Sequence, residues 1–179
     1  MKVEHTPIED LLIITPNSFE DDRGYFFESY SEASFAKNGI NVHFIQDNQS
    51  FSKHGVIRGL HLQAAPYAQT KLIRVLQGEI LDVAVDIRKD SKTYGKHFSI
   101  ILSSENKKQL LVPKGFAHGF SVLSETAMVS YKVDEVYNKE SERGIRFDDP
   151  TLGIDWKVDA EKMIVSEKDV ILGDLNDLN

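Results

Sequence analysis

The feature that most constrains this chain is a short period repeated almost end to end. Stretches of four to nine residues that alternate or run apolar are each closed by turn-forming residues, and helical spacing is nearly absent. Candidate strands are 11–15, 24–30, 42–48, 55–63, 71–76, 80–88, 97–102, 109–112, 118–123 and 127–134. Within 80–88, Leu81, Val83, Val85 and Ile87 alternate with Asp82, Ala84 and Asp86, which predicts a strand with two unlike faces. Gln77-Gly78 reads as a tight turn between two strands, and Asp21-Asp22-Arg23-Gly24 as another turn. Helix is predicted twice. Ser31 caps a short one that stops at Asn38-Gly39, and Ser166 with Asp169 has capping-box spacing. Many short strands with little helix predict an all-β sandwich, barrel or jelly roll.

At 179 residues, with no Pro/Gly/Ser-rich linker, the chain is expected to form a single domain over 1–179, its polar tail 173–179 fraying. Acidic residues number 28 against 21 basic, a net charge of −7. That argues against a nucleic-acid or anionic membrane surface and leaves room for a small anion in a locally basic pocket. With no cysteine there is no disulfide, thiolate metal site or thiol nucleophile. The first ten residues carry Glu4, Glu9 and Asp10 and do not read as a signal peptide, so a cytoplasmic location is expected. Dinucleotide-binding, P-loop, zincin and serine-hydrolase signatures are all missing.

Chemistry concentrates in three places: GVIRGLH over 55–61, PKGFAHGF over 113–120, and 131–137. Arg58 and His61 lie three apart, so a regular strand would send them to opposite faces. Gly59 between them suits a bulge that could aim both into one cavity, but this segment alone slightly favours a satisfied core histidine. Pro113-x-Gly-x-x-His118 resembles the second motif of the cupin superfamily, small β-barrels that usually bind metal. In the first motif Gln63 stands where a second ligand histidine is usual, and no glutamate follows at short spacing. An amide is a poor ligand for first-row metals, so no metal is expected.

A longer set of words is more specific: GVIRGLHLQ from Gly55, the run from Gln69 to Gly95, PKGFAHGFSVLSETA from Pro113 and ESERGIRFDDPTLGIDW from Glu140. FEDDRGYFFESY from Phe19, QDNQS from Gln46 and SEKD from Ser166 join them. Together they resemble the dTDP-4-dehydrorhamnose 3,5-epimerase family over about residues 4–172. The resemblance implies a cupin-like jelly roll, usually a homodimer, needing no metal or cofactor. It further implies epimerisation of dTDP-4-dehydro-6-deoxy-D-glucose at carbons 3 and 5, giving dTDP-4-dehydro-L-rhamnose for surface polysaccharides.

By the same resemblance His61 is the base, Asp169 its orienting carboxylate, Lys71 the stabiliser of the enolate oxygen and Tyr131 the acid. The chemistry fits, because both carbons flank a ketone and such a reaction needs a base, an oxyanion stabiliser and an acid on the opposite face. Phe19, Arg23, Glu28, Gln46, Asp47, Asn48, Arg58, Lys71, His118, Tyr137, Glu142 and Lys168 match substrate-binding positions, with Tyr137 stacking on thymine. Read locally, Tyr131 is equally a cross-strand aromatic, Lys71 a solvated charge, Asp169 a helix cap, and Asp47 and Glu142 members of a surface network. Leu62, Thr70 and Asn138-Lys139 depart from the usual pattern beside the proposed catalytic positions. A 3-epimerase of a related nucleotide 4-ketosugar is therefore the alternative. A metal-dependent cupin and a non-catalytic nucleotide-sugar module are the remaining ones.

Overall fold

The computed structural model describes residues 1–178. Its strands are β1 (Lys2–His5), β2 (Leu12–Thr15), β3 (Ser18–Asp21), β4 (Gly24–Phe27), β5 (Gln46–Lys53), β6 (Val56–Gln63) and β7 (Lys71–Gln77). They continue as β8 (Glu79–Asp86), β9 (His97–Ser103), β10 (Gln109–Val112), β11 (Phe116–Val122), β12 (Thr126–Val133), β13 (Glu142–Gly144) and β14 (Ile164–Val165). Two short helices, α1 (Glu32–Lys37) and α2 (Glu167–Val170), start at the predicted caps Ser31 and Ser166.

One sheet has the order β1-β2-β10-β7-β12-β5, and the other β13-β6-β11-β8-β9 with β14 added in parallel to β6. The sheets face each other across a core of Ile73, Val75, Leu110 and Val129 from the first and Ile80, Ala84, Phe116 and Phe120 from the second. Two further clusters cover the outer faces. Phe35 and Ile40 close over Ile14, Leu72 and Leu111. Ile145, Leu152, Trp156 and Leu175 close over Ile57, Leu60, Leu81, Val83 and Val85. The turn at Gly78 carries the chain from one sheet to the other, with φ +80° and no room for a Cβ, which would lie 2.1 Å from the Thr126 carbonyl oxygen.

The predicted alternation in β8 is present, but its apolar phase faces outward, beneath the C-terminal segment. The phase carrying Asp82 and Asp86 faces the interior between the sheets, and both aspartates have no exposed surface. The strand expected at 42–48 runs instead from Gln46 to Lys53. Its inward residues Gln46, Asn48, Ser50 and Ser52 are all polar, so no apolar period marks it. The tail expected to fray after Leu172 is docked as far as residue 178. Leu175 is 3% exposed, its N–H donates to Asp149 Oδ2 at 2.7 Å, and an Asp174/Asp177 capping box closes the last turn; residue 179 lies outside the described residues. Among the described residues no helix is long and apolar enough to cross a membrane.

Candidate active site

The site begins with a backbone irregularity. In the β6–β11 pair His118 lies opposite His61 and Phe120 opposite Arg58, so three steps on β6 match two on β11. Gly59 sits in this bulge at φ +129°, where a Cβ would come within 2.5 Å of the Gly119 Cα; a Cβ on Gly119 would lie 2.6 Å from the Arg58 carbonyl oxygen. Two bare backbones touch there. The bulge turns Arg58 and His61 into one cavity of about 530 Å³, whereas the sequence of this segment by itself slightly favours a core histidine. Lys71, Tyr131 and His118 line the same cavity, and the segment from Ile164 through Asp169 forms one wall.

His61 Nε2 is 2.8 Å from Asp169 Oδ1, and Asp169 Oδ2 accepts the Gly59 N–H at 3.3 Å. Asp169 sits in the capped turn and also meets His61. Its N–H is capped by Ser166 Oγ at 3.1 Å, while its carboxylate turns away from the reciprocal capping bond to hold the imidazole. Behind this pair lies a second, His118 Nε2 to Asp82 Oδ1 at 2.8 Å. Asp82 Oδ2 is buried with no hydrogen-bond partner. The Lys71 ammonium donates to the His61 carbonyl at 3.3 Å. Burial pulls its pKa down to about 8 against the opposing charges of Asp82 and Glu142. Burial raises the Tyr131 phenol, and the nearby Arg58 guanidinium moderates the rise.

His61 also borders two smaller cavities of about 280 and 220 Å³. Around them, Glu142 accepts from Tyr137 at 3.0 Å and pairs with Lys168, and Gln46 donates to Asn48 at 2.8 Å. Gln63 is fully occupied with the loop that carries Tyr137. Its amide donates to the Tyr67 and Val136 carbonyls and accepts the Asn138 N–H. Among the described residues no group of three or more His, Asp or Glu side chains is placed to hold a metal ion.

Four expected binding residues lie elsewhere. Asp47 alternates to the outer face of its sheet and pairs with Lys132 at 2.8 Å. Phe19, Arg23 and Glu28 belong to the β3–β4 hairpin and the segment after it. There Arg23 pairs with Asp21, Glu28 accepts from Ser34 Oγ at 2.7 Å, and Phe19 is 66% exposed. None of the four lines the three cavities around His61.

Comparison with known proteins decides the family. The profile of dTDP-4-dehydrorhamnose 3,5-epimerase matches residues 5–177. The chain belongs to the dTDP-4-dehydrorhamnose 3,5-epimerase family. It is 48% identical to the Escherichia coli (strain K12) enzyme of that name over 179 residues, covering 99% of this chain and 96% of that one. The crystal structure of the Elizabethkingia anophelis epimerase superposes with a TM-score of 0.95 at 54% identity, covering 100% of this chain and 98% of that one. The Legionella pneumophila dTDP-6-deoxy-D-glucose-3,5-epimerase, solved with dTDP-4-keto-L-rhamnose, gives 0.95 at 46% identity, covering 99% and 94%. The cupin-like jelly roll expected for an epimerase of this family is the fold observed.

Sequence reasoning passed over two of this epimerase's inward polar residues, Asp82 and Ser50. Asp82 lies on the inward phase of β8, where an acid needs a partner. Ser50 lies on a strand whose polar inner face hid its register.

Proposed function

We propose that the chain converts dTDP-4-dehydro-6-deoxy-D-glucose to dTDP-4-dehydro-L-rhamnose by epimerising carbons 3 and 5, within dTDP-rhamnose biosynthesis. The observation that carries this is the placement of proton-transfer groups on opposite walls of one cavity: His61 comes from β6 in one sheet and Tyr131 from β12 in the other. With His61 Nε2 held by Asp169, Nδ1 is the basic nitrogen that removes the proton next to the ketone. Asp169 fixes the tautomer and stabilises the imidazolium that forms. The Lys71 ammonium stabilises the enolate oxygen. Tyr131 then delivers its proton to the other face of the same carbon, which inverts it. Solvent takes the proton from His61 and restores the one lost by Tyr131.

Arg58, Lys168 and Lys71 are the cations that hold the diphosphate and sugar against a net charge of −7. The hairpin residues Phe19, Arg23 and Glu28 serve a second copy of the chain, forming a homodimer whose sites each take a hairpin from the partner. Phe19, Tyr25 and Phe26 are 66%, 57% and 71% exposed on that hairpin, an apolar surface suited to burial against a second copy. The reaction needs no cofactor, and the enzyme works in the cytoplasm as a single domain.

Incubation with the substrate in heavy water tests the reading. Deuterium is expected at carbons 3 and 5, and its absence from both with folded protein overturns the proposal. Entry at carbon 3 alone replaces it with the mono-epimerase. Light scattering that reports a monomer overturns the shared site.

A further inference from the structure

The inner face of β5 carries one polar atom without a role. Alternation aims Gln46, Asn48, Ser50 and Ser52 inward, and three of these are accounted for. Gln46 donates to Asn48, and Ser52 Oγ accepts Arg58 Nε at 3.0 Å. Ser50 Oγ alone is buried with no hydrogen-bond partner, and Ser50 lines the cavity that holds His61, Lys71 and Tyr131. A buried hydroxyl left unpaired weakens the empty protein, whereas a methyl in its place would cost nothing. Its retention is explained if whatever fills the cavity supplies the missing partner.

The register says which part of a ligand it meets. Ser50 lies directly opposite Val129 on β12, and Asn48 opposite Tyr131, so Ser50 is the diagonal neighbour of Tyr131 on the same face. From the facing sheet the cavity is lined by Arg58 and Phe120. A hexose ring whose reacting carbons lie between His61 and Tyr131 would bring its ring oxygen or one of its hydroxyls toward the Ser50 side of the cavity. We infer that Ser50 is a further substrate-contact residue, its hydroxyl donating to an oxygen of the bound hexose rather than to the nucleotide diphosphate. This rests on the proposed function and adds to it a residue that reads the sugar.

Calorimetric titration of the wild type and of Ser50→Ala with dTDP-D-glucose and with dTDP tests the inference. Lacking the ketone, dTDP-D-glucose binds without turning over. Ser50→Ala is expected to bind dTDP-D-glucose about five-fold more weakly, the worth of one neutral hydrogen bond, and dTDP as the wild type does. A melting temperature unchanged, or raised by loss of the unpaired hydroxyl, confirms that the substitution leaves the fold intact. Equal weakening toward both ligands places the hydroxyl on the diphosphate and overturns the inference. Unchanged affinity for both overturns it too, with the epimerase reading intact. A wild type that binds neither ligand overturns that reading and this one together.

Discussion

Asp82 and Asp86 lie four residues apart on the same face of β8, and neither has any exposed surface. Their surroundings are opposite. Burial alone would raise the Asp86 carboxyl, but hydrogen bonds from Arg88, Ser91 and Thr93 outweigh it and hold the pKa at about 2. The bonds are Arg88 Nε at 2.9 Å, Arg88 Nη2 at 2.9 Å, Ser91 Oγ at 2.6 Å and Thr93 Oγ1 at 2.7 Å. The Arg88 guanidinium in turn lies over the Phe116 ring and pairs with Asp10. Asp82 has a single bond, to His118, and one oxygen with none. A buried acid surrounded by donors ties the end of the strand together. One left half-satisfied stands behind a cavity-lining histidine, with the Lys71 ammonium in its field.

The largest effect expected is at the functional end. His61→Ala should lower kcat by roughly 10³-fold with the melting temperature unchanged, since a positioned base contributes on that scale; wild-type turnover would remove His61 from the mechanism. Next come two identical substitutions that set the aspartates against each other. Asp86→Asn turns an amide toward several donors and should cost about 3 kcal/mol in denaturant unfolding, with turnover per folded molecule unchanged. Asp82→Asn should cost less, about 1 kcal/mol, because a single bond to His118 is at stake, yet it should slow turnover through His118. Equal destabilisation by the two would break the contrast.

Lys71→Met sharpens it. The fall of this pKa from 10.5 to about 8 means that the fold bears a penalty of about 3 kcal/mol for the ammonium. The penalty is full below pH 8, fades as pH rises from about 8 to 10.5, and is gone above that, where both states are neutral. The methionine variant should therefore unfold at higher denaturant while losing about 10² in kcat. The smallest effect is a pH limb. As Lys71 loses its proton above about pH 8, the wild-type rate should fall up to tenfold per pH unit, and a flat profile to pH 10 would assign the oxyanion to another group. At the other end of β8 the sign reverses: the stability from Asp86 is fully present above its unfolded pKa of ~3.9 and is lost as pH falls toward 2.

Legibility in the sequence followed the same division. Strands with an apolar face, such as β7, β8 and β12, were visible by period, and the two helix caps by residue type. β5 slipped by several residues because its inward face is Gln, Asn and Ser. In β8 the alternation was visible, but its sense was not. Period alone does not say which of two faces a later segment will cover, and here Trp156 and its neighbours cover the apolar one. Gly59 gave away the bulge because only a residue without a side chain fits there. Asp169 was legible only through its place in a family pattern. Nothing local marks a carboxylate that meets a histidine 108 residues earlier. Phe19, Arg23 and Glu28 match the family's words, but the residue list did not show that their hairpin lies away from the cavities around His61.

The parallel pairing of β14 with β6, and the α2 turn that follows it, also impose an order in time. His61 and the carboxylate that orients it are separated by 108 residues of synthesis. At ~5–20 residues per second that is roughly 5–20 seconds on the ribosome. Both sheets can assemble only once β13 has been made, late in that interval, and from then until α2 emerges the imidazole waits without its partner. A message truncated between β13 and β14 would yield the strands of both sheets up to β14 without the carboxylate that orients His61, and its product is expected to be inactive.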